Sequence, residues 1–280
     1  MNRDVELHTS DGHPLAATVF DAAGADCWLV LNSAMGVRRR FYRHLAQFLC
    51  DAGIGVVTYD YRGIGDSVLQ HEQVKLADWG QQDFSAVLRW VRAERAPARL
   101  AALGHSVGGQ IAGLAPELVG LDAFVGIATQ SGYWRNWSGW ERARVGALWY
   151  AGVPLLTRIF GHFPASRLGI GQDLPTGIAR QWAEWGRDPH YLRSERIGPQ
   201  PQFYAAFRGR LRTYLVRGDE FASEHSVRAW HDWFPQARRE FVDLGLRNSA
   251  GRKTGHFGFF DPGIGAEWWP GVADFLRSQG

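Results

Sequence analysis

A doubly wound α/β fold with a mostly parallel sheet is predicted by three observations. From residue 27 to residue 128, short apolar runs alternate with amphipathic stretches of helical length, the rhythm of parallel strands joined by crossover helices. The runs at 27–31, 55–59, 100–103 and 123–128 are nearly unbroken in apolar character, as strands covered on both faces must be. The third run breaks at Gly104-His105-Ser106-Val107-Gly108, and a helical pattern starts at once.

Residues 5–9 and 15–20 alternate about Asp11-Gly12-His13-Pro14 and predict an opening hairpin. The run 27–31 is the first buried strand and ends in Asn32-Ser33-Ala34-Met35-Gly36. Phe41, Leu45, Phe48 and Leu49 then recur at helical spacing over 41–52, closed by Gly53. After the strand 55–59 come Asp60-Tyr61-Arg62-Gly63-Ile64-Gly65-Asp66-Ser67 and a helix over 76–94 with Phe84, Val87, Leu88 and Val91 on one face. A helix over 109–118 and a strand over 123–128 follow the third run.

The rhythm stops at Ser131. Residues 132–203 are rich in tryptophan, tyrosine, arginine, glycine and proline, with amphipathic pieces near 140–156 and 178–185. They are expected to form a Trp-rich helical cap inserted into a core made of residues 1–131 and 204–280. The rhythm resumes with a strand at 211–216, a helix over 223–234, a strand near 239–244, the loop 247–260 and a final helix over 268–278.

At 280 residues, 45% hydrophobic and 21% charged, the chain suits one large α/β domain or a core carrying an inserted subdomain. The net charge of +3 comes from arginines spread along the chain, so no nucleic-acid partner is expected. Met1-Asn2-Arg3-Asp4-Val5-Glu6 lacks the apolar stretch of a signal peptide, and no window approaches the length of a membrane span. A cytoplasmic protein with no membrane partner is expected. Cys27 in a predicted strand and Cys50 in a predicted helix are expected to be buried free thiols.

The turn at Ser106 has the form of a nucleophile elbow. Such a turn strains its central residue, so Gly104 and Gly108 must lack side chains, and the Val107 N–H at the helix start points at an oxyanion formed when Ser106 attacks a carbonyl. A serine hydroxyl needs a positioned base, and the base needs an acid to orient it. The strand 211–216 runs into Arg217-Gly218-Asp219, which places Asp219 at the right sheet edge for the acid, with Glu220 or Asp243 as substitutes. His256, after the last strand, is placed for the base. His105 is expected in a satisfied core role, and His225 and His231 as surface or packing residues. No pair among the histidines other than His256 shows metal-ligand spacing with a nearby carboxylate, and no cofactor is called for. A second oxyanion donor should come from the loop after 27–31, through the N–H of Ala34 or of Met35.

The order Ser106, Asp219, His256, with Gly104-His105-Ser106-Val107-Gly108-Gly109, Asp60-Tyr61-Arg62-Gly63-Ile64-Gly65-Asp66-Ser67, Asp219-Glu220-Phe221-Ala222 and Gly255-His256-Phe257-Gly258-Phe259-Phe260, resembles the α/β-hydrolase family along nearly the whole chain. Met35-Gly36-Val37 with Phe41-Tyr42-Arg43 resembles a bacterial subgroup of its serine hydrolases. The resemblance implies an eight-stranded sheet, a helical cap after the sixth strand and a Ser106–His256–Asp219 triad. Where many relatives carry His-Gly, this chain has Asn32-Ser33.

Six of the thirteen tryptophans fall between Trp134 and Trp185. Trp134, Trp137, Trp140 and Trp149 are the candidates for an apolar slot holding an acyl chain or ring, with cap packing as the alternative. Arg38-Arg39-Arg40 is expected to be a solvated helix start, and Arg62 to shape a turn. The resulting expectation is a cofactor-independent hydrolase of small to medium apolar carboxylic esters. An acyltransferase or a peptidase with the same triad, and a catalytically silent binding protein, remain open.

Overall fold

The computed structural model describes residues 2–69 and 73–278; Met1 lies outside them. The strands are β1 (Asn2–His8), β2 (Pro14–Phe20), β3 (Cys27–Asn32), β4 (Gly55–Tyr59), β5 (Arg99–His105), β6 (Ala123–Ile127), β7 (His162–Phe163), β8 (Leu174–Pro175), β9 (Arg210–Leu215) and β10 (Arg238–Asp243). Eight of them form one sheet in the order β1-β2-β4-β3-β5-β6-β9-β10. β2 is antiparallel to β1 and to β4, and the remaining pairings are parallel. The eight-stranded, mostly parallel sheet expected from the sequence is therefore present.

Strand side chains alternate between two apolar cores, one on each face. Trp28 and Val30 of β3, Val57 of β4, Leu100 and Ala102 of β5 and Phe124 of β6 enter the first. Their neighbours Leu29, Leu31, Val56, Ala101, Leu103 and Val125 enter the second. Period-two alternation with both faces buried is why these segments read as unbroken apolar runs. The helices Arg43–Asp51 and Trp269–Arg277 cover the second face through Leu45, Leu49, Val272 and Phe275. The helical stretch 76–95, with a π-helical middle at Trp79–Phe84, covers the first through Leu76, Trp79, Val87 and Val91.

The helix expected over 109–118 is shorter and broken. An α-turn at Val107–Gln110 passes into 3₁₀ turns at Ile111–Leu114 and Pro116–Gly120. Pro116 accounts for the break, because proline drives the residue before it out of the helical region, and Ala115 has φ −88° and ψ 124°. The loop expected over 247–260 carries a helical turn at Gly255–Gly258. Cys50 is half-buried and not buried as expected, since it sits on the outer flank of its helix; Cys27 is buried, which pushes its thiol pKa up.

Between β6 and β9 the strand–helix alternation is interrupted by helices Gly139–Ala147, Val153–Phe160 and Thr176–Arg187, with a π-helical turn Leu148–Gly152 joining the first two. The ribbon β7–β8 in this segment carries no sequence signal, being two residues per strand. Buried Val145, Trp149 and Val153 of this segment and Ile178, Ala179 and Ala183 of Thr176–Arg187 join the same apolar core as Trp79 and Ile111. No helix of the described residues is long and apolar enough to cross a membrane.

Candidate active site

β3, β5, β9 and β10 run parallel, so the loops that follow them gather at one edge of the sheet. Ser106 follows β5 there with φ 52° and ψ −120°, a conformation that costs a non-glycine residue on the order of 1–3 kcal/mol. Its N–H donates to the Ile127 carbonyl (3.0 Å), and its own carbonyl accepts from Gly109 N–H (3.0 Å), so the surroundings hold the turn. A Cβ at Gly108 would lie 2.5 Å from the Asn32 carbonyl oxygen, and one at Gly104 would fall on the Gly109 backbone. Both glycines are thus required by close approach, as the motif predicted. The Ser106 hydroxyl has no hydrogen-bond partner among the described residues.

Asp219 follows β9, and His256 sits in the turn Gly255–Gly258. His256 Nδ1 lies 2.7 Å from Asp219 Oδ2, and both residues are buried. Since the carboxylate only accepts, Nδ1 carries the hydrogen and Nε2 is left with a lone pair. The other carboxylate oxygen of Asp219 accepts from Phe221 N–H at 2.8 Å, which fixes the side chain. Of the substitute acids, Glu220 is exposed and Asp243 is held by Arg217 at the surface.

The loop after β3 is secured from below. Asn32 donates through Nδ2 to the Gly108 carbonyl (3.1 Å) and accepts from Tyr59 OH (2.7 Å). The residue that departs from the family's His-Gly pattern therefore ties this loop to the elbow helix. Ala34 N–H donates to Tyr42 OH at 2.8 Å, so of the two candidate donors Ala34 is already engaged. Met35 N–H has no partner among the described residues. At Gly36 (φ +67°) the backbone meets the inserted segment: Gln172 N–H donates to the Gly36 carbonyl (2.8 Å), while Gln172 Oε1 accepts from Gly65 N–H (2.8 Å).

Tyr42 also lies 2.9 Å from His105 Nδ1, and His105 Nε2 lies 2.9 Å from the His256 carbonyl oxygen. That carbonyl can only accept, so His105 carries its hydrogen on Nε2 and accepts at Nδ1 from the Tyr42 hydroxyl. A directed chain results, Ala34 N–H to Tyr42 O–H to His105 to His256 C=O, joining the three loops that carry Ala34, Ser106 and His256. Burial pushes the Tyr42 phenol up, and burial together with His256 pushes His105 well below the usual imidazole range, so both stay neutral and able to play these parts. The sequence placed His105 in the core but gave no sign of Tyr42's role.

Ser106, Met35 and His256 line one cavity of about 870 Å³ of empty space, part of it open to solvent. The inserted segment supplies much of its apolar wall, through Trp137, Val145, Leu148, Trp149, Leu174 and Trp182, and Phe221 and Phe257 add to it from the core. Of the four candidate tryptophans Trp137 and Trp149 line this cavity, together with Trp182, which was not among the candidates. Trp140 and Trp134 are not in the wall. Trp140 is 79% exposed on the opposite side of its helix, and Trp134 packs beside Gly146 and Tyr150. Gln110 and Gln130 add amide groups, with Gln110 Oε1 held by Tyr191 OH (2.8 Å) and Gln130 Nε2 by the Phe221 carbonyl (2.9 Å).

Two basic expectations resolve differently. Arg39 is not solvated: it is buried against Asp60, with Asp66 2.8 Å away, whereas Arg38 before it and Arg40 after it are exposed. Arg62 does shape a turn, bonded to buried Asp83 through Nε (2.6 Å) and its own N–H (2.9 Å). His225 is exposed, and His231 Nδ1 lies 2.8 Å from Thr213 Oγ1. Among the described residues no cluster of three or more His, Cys, Asp or Glu side chains is placed to hold a metal ion.

No curated protein matches the sequence at a significant level. Solved structures similar to it include the esterase Pf2001 of Pyrococcus furiosus (17% identity, TM-score 0.65, 99% of this chain and 91% of that one). DcsB in complex with its substrate analogue is similar at 15% identity and TM-score 0.67, over 99% of this chain and 98% of the other. The esterase EaEST of Exiguobacterium antarcticum is similar at 14% identity and TM-score 0.64, over 99% and 100%. At these identities the likeness speaks for the fold. The model of the alpha/beta hydrolase family matches residues 19–267, most of the chain and all three loops just described, and the chain belongs to that family.

Proposed function

We propose that this chain is a serine hydrolase that cleaves carboxylic esters through an acyl-enzyme on Ser106. The observation that carries the reading is the buried 2.7 Å contact between His256 and Asp219 beside a cavity that Ser106 lines from a strained turn. In this reading His256 Nε2 takes the Ser106 proton as the hydroxyl oxygen attacks the ester carbonyl. Asp219 keeps the Nδ1–H tautomer and stabilises the imidazolium that forms. The tetrahedral oxyanion accepts from Val107 N–H at the helix start and from Met35 N–H, the donor that Tyr42 leaves free. His256 then returns its proton to the leaving alcohol, and a water activated by the same nitrogen releases the acid.

Residues 132–203 act as a cap over a core of residues 1–131 and 204–280, and the tryptophan wall they supply favours a small to medium apolar acyl group. The esterases among the structural neighbours support the same reaction class. p-Nitrophenyl esters of increasing acyl length, given to the protein and to Ser106→Ala, test it. Release that disappears in the variant, with a burst in the parent protein, is the expected result. Equal release by both, or none from any ester by folded protein, overturns the reading.

A further inference from the structure

The helical residues 139–160 have two apolar faces. Val145, Trp149, Val153 and Thr157 are buried on one. On the other, Trp140, Leu155 and Ile159 are 79%, 56% and 62% exposed, with exposed Ala147 and Ala151 between them. In an uninterrupted α-helix the offset from Trp140 to Ile159 would drift about a quarter turn round the axis. The π-turn Leu148–Gly152 absorbs about one residue, so Trp140, Leu155 and Ile159 fall near whole turns of one line. Tyr150, Phe160 and Leu168 flank it, and of the nine large apolar side chains that stand exposed among the described residues, six lie between Trp140 and Leu168. A helix over a soluble core normally turns polar residues outward, so this face lacks its partner.

Charge identifies that partner. Residues 132–173 contain Arg135, Arg142, Arg144, Arg158 and Arg167 against Glu141 and Asp173, the latter bonded to Ser166 and 3.3 Å from His162. Among the described residues none of the five arginines is in an ion pair with a carboxylate. Instead Arg142 and Arg144 donate to main-chain carbonyls, Arg135 lies 4.9 Å over the Trp134 ring and Arg167 4.9 Å over Phe160. A second copy docked two-fold on this face would set the same cations against one another. Apolar and aromatic side chains interleaved with unpaired arginines are the composition of a helix that lies in the plane of an anionic lipid–water boundary.

We infer that the outer face of residues 139–168 docks on an anionic phospholipid surface. The same helix lines the Ser106 cavity with Val145, Leu148 and Trp149, so docking brings the cavity beside the acyl region of the lipid. Contact of this kind needs no spanning helix, and the lack of a span was all that the expectation of no membrane partner rested on. It concerns binding and stands apart from the ester-cleavage reading.

The test is co-sedimentation of the full chain with vesicles of phosphatidylglycerol and phosphatidylcholine, against vesicles of phosphatidylcholine alone. Binding is expected to the anionic vesicles only and to weaken in high salt. Arg158→Gln and Arg167→Gln should each lower the partition coefficient about fivefold. Leu155→Gln/Ile159→Gln should abolish binding while leaving hydrolysis of a soluble short-chain ester, if present, unchanged. Absence of binding by folded parent protein, equal binding to both vesicle types, or binding that ignores these substitutions overturns the inference. So does a dimer in sedimentation equilibrium that Leu155→Gln/Ile159→Gln dissociates, which would mean that a second copy covers the face.

Discussion

Tyr42→Phe removes one oxygen and tests whether the buried chain of hydrogen bonds holds the site together. The phenylalanine keeps the ring packing, including the edge contact with Phe260 at 4.8 Å, so no cavity term enters. What is lost is the acceptor for Ala34 N–H and the donor to His105 Nδ1, leaving two buried polar groups unmatched. At about 1–3 kcal/mol for each such group, the expected destabilisation is about 2–6 kcal/mol. In a chain of this size that lowers Tm by roughly 3–10 °C, measured by scanning calorimetry. The proposed donor Met35 N–H is adjacent to the released Ala34, so kcat for a p-nitrophenyl ester should fall about tenfold with KM little changed. A thermodynamic cycle with His105→Leu isolates the link, and the coupling should reach about 1 kcal/mol. A Tm within 2 °C of the parent, or additivity within about 0.5 kcal/mol, would refute the chain as a unit.

Acidification probes the same histidine. His105 titrates well below its ordinary value in the folded state, so below pH ~6.5 the unfolded chain binds a proton that the native chain refuses. Its stabilising contribution is complete above that pH and falls by about 1.4 kcal/mol per unit below it, and burial of His231 adds in the same direction. Urea unfolding at pH 7.5 and 5.5 should show the loss, and His105→Leu should flatten it; an unchanged slope in the variant would assign the effect elsewhere. Trp137→Ala and Trp140→Ala form a matched pair. The first should move the preferred acyl length upward, because Trp137 lines the cavity, and the second should leave the ester profile untouched, because Trp140 stands outside it.

The sheet was legible because buried parallel strands write their environment directly into unbroken apolar runs such as Cys27–Asn32. The meeting of Ser106, Asp219 and His256 at one sheet edge was legible because Ser106 and Asp219 follow the ends of β5 and β9 and His256 lies in the loop after the last strand. The tryptophans were only half legible. Whether Trp140 or Trp149 faces inward depends on helix phase, and the π-turn at Leu148–Gly152 resets that phase with no residue to announce it. Arg39 looked like its solvated neighbours because its partner Asp60 lies on another strand's loop. Tyr42 escaped notice for a related reason: its value lies in a hydroxyl reaching a main-chain N–H eight residues earlier and a histidine 63 residues later, and apolar periodicity records neither.

The two-ended grip of Gln172 carries a consequence for engineering. With its N–H on the Gly36 carbonyl and its amide oxygen on Gly65 N–H, it staples the inserted segment to the loop beside Met35. That segment is therefore not an interchangeable lid. A chimera that imports a foreign insertion without this glutamine, or that places a side chain at Gly36 where a Cβ would lie 2.9 Å from the Gln172 carbonyl oxygen, inherits a new cavity wall together with a slackened Met35 loop. Transplanted specificity would then arrive with a lower turnover number, and restoring the glycine–glutamine pair should be the first repair.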